Sequence, residues 1–309
     1  MSRILITGGL GFIGQKLEER LIKEGHEVYI FDRTRISRER YFHGDIIDYF
    51  NIENAFERVK PEVVFHFAAM VSRKECEEAP YMAIATNVDG TLNVVNLCVK
   101  YSARLIYAGS SEEYGDAYCG DNDYTVDENT PMGTPTSYYA MTKRMSDEII
   151  QYNTKYGKLI ATTVRFCMLY GAESYSEYRS AITRFIFAAL DGTPLMAHEN
   201  TERSWCHIDD AVDALILVLD RNQDNCYEIY NIGREEPISA VDLAKLIVRI
   251  IKSQSEIKVV PIEPTIVSIK RMKFKHIKNI LGWESKIPLE DGLRSTIEDI
   301  VIDYWNPNI

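Results

Sequence analysis

The 309-residue chain lacks most markers of an exported, membrane-bound or metal-bound protein. Its six cysteines (Cys76, Cys98, Cys119, Cys167, Cys206 and Cys226) never form a C-x-x-C pair, and its six histidines do not cluster. Neither a zinc site nor a disulfide framework is expected, and no metal. Apolar runs are short; "ALILVL" falls far below the roughly 20 residues that span a bilayer. A basic surface is missing as well. Against 46 Asp and Glu stand 35 Lys and Arg, a net charge of −11, which argues against nucleic acid or an anionic membrane as partner. The first residues run directly into "RILITGG", a strand and turn, so no export signal is expected and a reduced, cytoplasmic setting is. No repeat, low-complexity segment or linker interrupts the chain.

What remains is an ordinary globular composition, 46% hydrophobic and 26% charged. The length suits one large α/β unit, or a nucleotide domain with a smaller partner. "RILITG", "EVYIFD", "VVFHFAA", "RLIYAGSS" and "KLIATTVRF" read as strands. Several are the continuous apolar runs of strands buried on both faces. Between them lie helical stretches such as "FIGQKLEERLIKEG", where Ile13, Leu17 and Leu21 recur at helical spacing. This alternation predicts a Rossmann-type, doubly wound parallel sheet over residues 1–166. Residues 167–309 are expected to form mainly a smaller substrate-binding lobe, with about 207–234, including the strand "YNIG", returning to the sheet.

Between the first strand and helix, "ITGGLGFIG" places Gly8, Gly11 and Gly14 at three-residue intervals, with Phe12 and Ile13 opening the helix. Glycine is needed there because a Cβ would hold the backbone N–H groups away from a pyrophosphate, which the helix N-terminus attracts. Asp32, about 20 residues on, ends the second strand. A carboxylate there accepts hydrogen bonds from ribose hydroxyls and repels a 2′-phosphate, which favours NAD. The following Arg33, Arg35 and Arg38 leave open a pairing with an NADP phosphate.

"TSYYAMTK" sets Tyr139 one helical turn ahead of Lys143, which lets both side chains share a helix face. With 19 tyrosines in the chain, one Tyr-x-x-x-Lys is about what chance supplies. Its surroundings give it meaning. Taken together, "TGGLGFIG", "GDI", "HFAA", "TNVDGT", "GSSEEYG", "YYAMTK", "VRFCMLYG", "RSWCHIDDAVDAL", "YNIG" and "LGW" resemble, in order and spacing, the extended short-chain dehydrogenase/reductases. Within these the likeness is to the NAD-dependent nucleotide-sugar epimerase/dehydratase family, and it covers essentially the whole chain.

The resemblance implies hydride removal from a sugar carbon, usually carbon 4, of a nucleotide-diphosphate sugar, and a homodimer built on the helices carrying Asn87 and Tyr139. It implies Tyr139, Lys143 and Ser110 as the catalytic centre, with Asn87 supporting the active-site helix and Tyr138 left to packing or substrate contact. Phe67, Ala68 and Ala69, with Asp45 and Ile46 on the adenine side, join the cofactor contacts, as do Tyr139 and Lys143. A tyrosine titrates near 10 when free. One positive charge at about 4 Å and an effective dielectric of 20 contributes roughly 4 kcal/mol, about three pKa units. Lys143 and an oxidised nicotinamide are thus expected to bring Tyr139 near neutrality.

Family members diverge after the 4-keto sugar forms, and Glu112 is the informative residue. The resemblance implies a glutamate there in 4,6-dehydratases and nucleotide-sugar decarboxylases, as a base for the carbon 5 proton, with Ser111 assisting loss of the carbon 6 hydroxyl. A 4,6-dehydratase is the first expectation; a 4-epimerase, 4-ketoreductase or 4-dehydrogenase stays open. A non-catalytic dinucleotide-binding regulator would be expected to lack Tyr139, Lys143 or Ser110, and all three are present. Substrate contacts are expected from Arg165, Met168 and Arg203. Met168 stands where most members carry an asparagine, and a thioether cannot donate a hydrogen bond, so the usual diphosphate clamp is altered. The aspartate common before "LGW" is also missing, with Met272 and Lys273 nearby.

Overall fold

The computed structural model describes residues 1–118, 125–221, 227–262 and 266–305. Cys119 and Cys226 lie outside them; the other four cysteines are buried free thiols. The first half runs β1 (Arg3–Thr7), α1 (Phe12–Lys23), β2 (Glu27–Asp32), β3 (Tyr41–His43), α2 (Tyr49–Val59), β4 (Val63–His66), α3 (Arg73–Glu78) and α4 (Pro80–Ile84). A π-helical turn (Ala85–Asp89) leads into α5 (Gly90–Tyr101), then β5 (Arg104–Ser110) and a 3-10 segment (Ser111–Tyr118). The rest runs α6 (Tyr138–Tyr156), β6 (Ala161–Phe166), β7 (Met168–Tyr170), α7 (Ala181–Leu190), β8 (Leu195–His198), β9 (Glu202–His207) and α8 (Ile208–Asp220). It closes with β10 (Tyr227–Ile232), β11 (Pro237–Ser239), α9 (Ala240–Ile251), β12 (Ile257–Val260), α10 (Lys275–Leu281) and α11 (Leu289–Trp305).

Seven parallel strands form one sheet in the order β3-β2-β1-β4-β5-β6-β10. This is the doubly wound order, and its direction reverses between β1 and β4, where such sheets open a crevice at their carboxyl ends. Alternation along β1 places Ile4 and Ile6 in one core and Leu5 in the other. Within this sheet the one strand not anticipated is β3, three partly exposed residues at the edge; the short β8, β11 and β12 outside it were not anticipated either. β10 lies on β6 at the opposite edge, and α8 packs on α1, joined to it by Arg20 and Asp213 at 2.8 Å. β11, β9 and β7 make a separate small sheet, and β12 pairs with β8. A third core around Phe185, Trp205, Leu243 and Leu293 fills this part of the chain.

Candidate active site

The glycine loop sits at the crevice. Gly8 takes a positive φ of 68°, and a Cβ there would lie 2.6 Å from the Ala68 backbone nitrogen. Only glycine lets the turn after β1 touch the segment after β4. α1 begins at Phe12 behind Gly11 with no capping side chain and no acidic residue in its first turn. Its first N–H groups and positive dipole end therefore suit a pyrophosphate, and this is the fit that a dinucleotide requires. Buried Asp32 accepts hydrogen bonds from Leu10 N at 3.1 Å and Thr34 N at 2.9 Å, which fix its carboxylate between the loop and the end of β2. Arg33 and Arg35 are exposed, whereas Arg38 pairs with Glu18 on α1. Asp45 is exposed beyond β3, and Ile46 is buried against Gly90, where a Cβ would meet it at 2.6 Å. Phe67, Ala68 and Ala69 follow β4 and are partly buried.

A second cluster gathers where β5 ends. Ser137 caps α6 by accepting from Ala140 N at 3.1 Å, which places Tyr139 in the first turn and Lys143 one turn deeper. Lys143 is buried; its Nζ donates to Ala108 O at 2.7 Å and lies 4.8 Å from the centre of the Tyr107 ring. Tyr139 lies within hydrogen-bonding reach of the Ser110 hydroxyl. Burial pushes Tyr139 above its ordinary value, with Ser110 pulling it down; the expected fall toward neutrality depends on the charge of the oxidised nicotinamide as well as on Lys143. Lys143 is itself pulled down to about 8 by burial.

Asn87, in the π-helical turn, is fully engaged. Its Oδ1 accepts from Met70 N at 2.8 Å, and its Nδ2 donates to Met70 O at 3.0 Å and Thr142 Oγ1 at 2.9 Å. It thus ties α6 to the segment after β4. Tyr138 packs with Tyr139 on the small core of Met70, Cys76 and Ala83.

The third group stands beside Ser110. Glu112 makes an ion pair with Lys270, both largely buried, and its N–H donates to Ser110 Oγ at 3.2 Å. Burial opposes ionisation of Glu112, but Lys270, then Arg73 and Arg203, outweigh it, so the carboxyl sits below its ordinary value. Sequence reasoning missed Lys270; three lysines and an arginine crowd "IKRMKFK", and only the fold selects one. Ser111 is buried, and its carbonyl accepts from Tyr118 OH at 3.0 Å. Arg203 donates from Nη1 to the carbonyls of Glu202 and Ser268, each at 2.7 Å, and from Nη2 to Val267 at 2.6 Å. It straps β9 to the segment that delivers Lys270. Met168 pairs with Trp205 across β7 and β9, and Trp205 is buried packing. Arg165, expected to contact substrate, is instead 3% exposed and held by Glu113 and Asp147, at 2.7 and 2.8 Å. Its side chain points into the interior, and the expectation is corrected. Among the described residues no group of His, Cys, Asp and Glu could hold a metal, and no helix is long and apolar enough to cross a membrane.

A glycine cradle at the switch point, with a tyrosine, lysine and serine at the neighbouring strand end, defines a dinucleotide-dependent enzyme. The chain belongs to the NAD dependent epimerase/dehydratase family, whose model matches residues 4–233, and NAD is its cofactor. It is 31% identical to UDP-N-acetyl-alpha-D-glucosaminuronate decarboxylase of Bacillus cytotoxicus, covering 96% of this chain and 97% of that one. It is 28% identical to dTDP-D-glucose 4,6-dehydratase of Mus musculus, covering 96% and 88%. The solved UDP-glucose 4-epimerase of Thermotoga maritima, with UDP-glucose, superposes with a TM-score of 0.89 at 25% identity, covering 98% and 99%.

A 2′-phosphate beside the Asp32 carboxylate would cost several kcal/mol. Calorimetric titration should therefore show NAD binding about a hundredfold or more tighter than NADP. Asp32→Asn should narrow that gap. Tighter binding of NADP by the parent would instead assign a 2′-phosphate to Arg33 or Arg35.

Proposed function

We propose that the chain removes a hydride from carbon 4 of a nucleotide-diphosphate sugar and then acts on the 4-keto sugar at carbons 5 and 6 as a 4,6-dehydratase. The observation that carries this reading is the buried Glu112–Lys270 pair beside Ser110. NAD, when bound, would accept the hydride from carbon 4 and, once water has left, would give it back at carbon 6 while carbon 5 regains a proton, so that the net change is loss of water. Tyr139 takes the proton of the carbon 4 hydroxyl, which Ser110 orients. The ketone then acidifies the carbon 5 proton. Elimination of water needs a base for that proton and an acid for the hydroxyl leaving carbon 6. Glu112, kept ionised, is the base. Lys270, whose ammonium burial destabilises against the pull of Glu112, is the acid. The carbon 5 C–H electrons form the double bond to carbon 6, and the hydroxyl leaves with the lysine proton as water. The buried serine hydroxyl of Ser111 is too weak an acid for this part.

A second reading, decarboxylation of a nucleotide-diphosphate hexuronic acid, is favoured by the Lys270, Arg203 and Arg73 charges around Glu112 and by the likeness to the Bacillus decarboxylase. A carboxyl on carbon 6 lies β to the ketone and leaves as carbon dioxide without a base; only a proton for carbon 5 is then required. The deciding experiment incubates the NAD-loaded protein with UDP-, GDP- and dTDP-hexoses and with UDP-hexuronic acids, reading products by mass. Loss of water supports the first reading and release of carbon dioxide the second. Conversion without mass change on every sugar would replace both with a 4-epimerase.

We also propose a homodimer through the outer faces of α5 and α6. Leu92, Met141, Met145, Tyr152 and Tyr156 are exposed there, the last four forming one stripe along α6. An apolar stripe on α6, with Leu92 on the adjacent α5, suits pairing with the same two helices of a second copy. Sedimentation at micromolar concentration should give twice the 35.5 kDa chain mass. A monomer would overturn the proposal.

A further inference from the structure

We propose that Glu113 is a positioning residue for the reaction centre: one buried carboxylate that both fixes the main chain at Ser110 and supplies the counter-charge for Lys143. Glu113 is wholly buried, directly after the residue paired with Lys270 but facing the opposite way. Its Oε1 accepts from Ser110 N at 2.7 Å, and its Oε2 accepts from Arg165 Nε at 2.7 Å. Burial pushes the Glu113 carboxyl up to about 7 against the pull of Arg165, but each oxygen takes a donor, so the ionised form is the one that fits. Lys143 meanwhile donates to the carbonyl of Ala108. Between those two gripped groups lies only Gly109, where a Cβ would fall 2.8 Å from Glu113 Oε1 and 2.8 Å from Thr163 Cγ2. The glycine makes room for the carboxylate against the strand end that carries Ser110.

The charges in this interior balance. Lys143 and Arg165 are cationic, Glu113 and Asp147 anionic, and all four are at most 3% exposed. Arg165 Nη2 reaches Asp147 Oδ2 at 2.8 Å, and its guanidinium lies 5.0 Å from the Tyr114 ring. Asp147 is further satisfied by Thr163 and Tyr227. An unbalanced charge at such depth is costly, so removing one member is felt by the rest. The titratable groups facing Lys143 are Glu113 from the 3-10 segment, Cys76 from α3 and His66 from β4. Tyr107 from β5 presents its ring. Of these, His66 is neutral, pulled down to about 3 by burial and then by Lys143, and burial pushes the Cys76 thiol up to about 11. Glu113 is therefore the one anion among them.

Glu113's part rests on reading Tyr139 and Lys143 as the reaction centre; the test needs no substrate, so its failure is distinct from failure of that reading. The NAD-loaded protein, with lysine side chains carrying a carbon-13 label, is titrated by NMR, the Lys143 signal being assigned by its loss in Lys143→Arg. Glu113→Gln should move the Lys143 midpoint down by about one pH unit or more, because the ammonium loses its counter-charge. The Ser110 amide proton should also lose the downfield shift that a carboxylate acceptor confers. Asp147→Asn removes an equally buried carboxylate that does not face Lys143, so it should lower stability and leave that midpoint in place. If Glu113→Gln does not fold, Glu113→Asp, which withdraws the charge by one methylene, should give a smaller shift of the same sign. A midpoint unmoved in the Glu113 variant that folds overturns the proposal. So does an equal shift from Asp147→Asn, which would make the effect one of net charge alone.

Discussion

Tyr139→Phe is expected to abolish the first chemical step while leaving cofactor binding intact. The phenylalanine ring keeps the packing on Met70, Cys76 and Ala83, so the loss is confined to one hydroxyl. That hydroxyl is the group within reach of Ser110. Removing a positioned acid–base group typically lowers a rate by about a hundredfold to ten-thousandfold. Single-turnover NADH absorbance, with whichever nucleotide sugar the substrate panel identifies, reads the step directly. NAD affinity by calorimetry should change little, since Gly8, Gly11, Asp32 and Lys143 are all kept and only one hydroxyl is lost. A variant that reduces NAD at the parent rate would move the proton acceptor to another residue.

Glu112→Gln should separate the two halves of the reaction. Glutamine keeps size and most hydrogen bonding but cannot take a proton, so oxidation at carbon 4 survives while water loss falls by about a hundredfold to ten-thousandfold. Solvent deuterium at carbon 5, followed alongside NADH absorbance, distinguishes the steps. The exchange should disappear with the base. Lys270→Met should instead retain exchange at carbon 5 and lose the departure of the carbon 6 hydroxyl, since the base remains and the acid is gone. Final product formed by Glu112→Gln at the parent rate would end the dehydratase reading. Carbon dioxide release from a uronic acid by that variant would favour decarboxylation, which needs no base.

The sheet was legible because its strands are buried on both faces. Runs such as "RLIYAGS" and "ATTVRF" can be little else once helices alternate with them, and six of the seven strands were readable this way. β3 was not, being three residues whose sides are half in water and whose position depends on β2. The glycine loop and Asp32 were legible because their roles depend on near neighbours in the chain. Arg165 misled because a sequence gives no hint of which face of a buried strand an arginine occupies, and Glu113 and Asp147 are its partners only in three dimensions. Glu113 itself looks like a repeat of Glu112. A turn of 3-10 helix sends the two adjacent carboxylates to opposite destinations, one to the cleft with Lys270 and one to the interior with Arg165.

The pairing of Glu112 with Lys270 spans 158 positions of the chain. Chains emerge from the ribosome at about 5–20 residues per second, and N-terminal parts fold first. The glycine loop, Tyr139 and Lys143 are therefore all made well before the lysine that completes the second half-site. β10, at the sheet edge, also arrives before it. A nascent chain that reached only β10 would hold the glycine loop, Tyr139 and Lys143 but not the Glu112–Lys270 pair to which the proposed dehydratase reading assigns water loss. On the dehydratase reading, synthesis order makes Lys270 the last arrival among the proposed reactive groups, after the glycine loop, Tyr139 and Lys143.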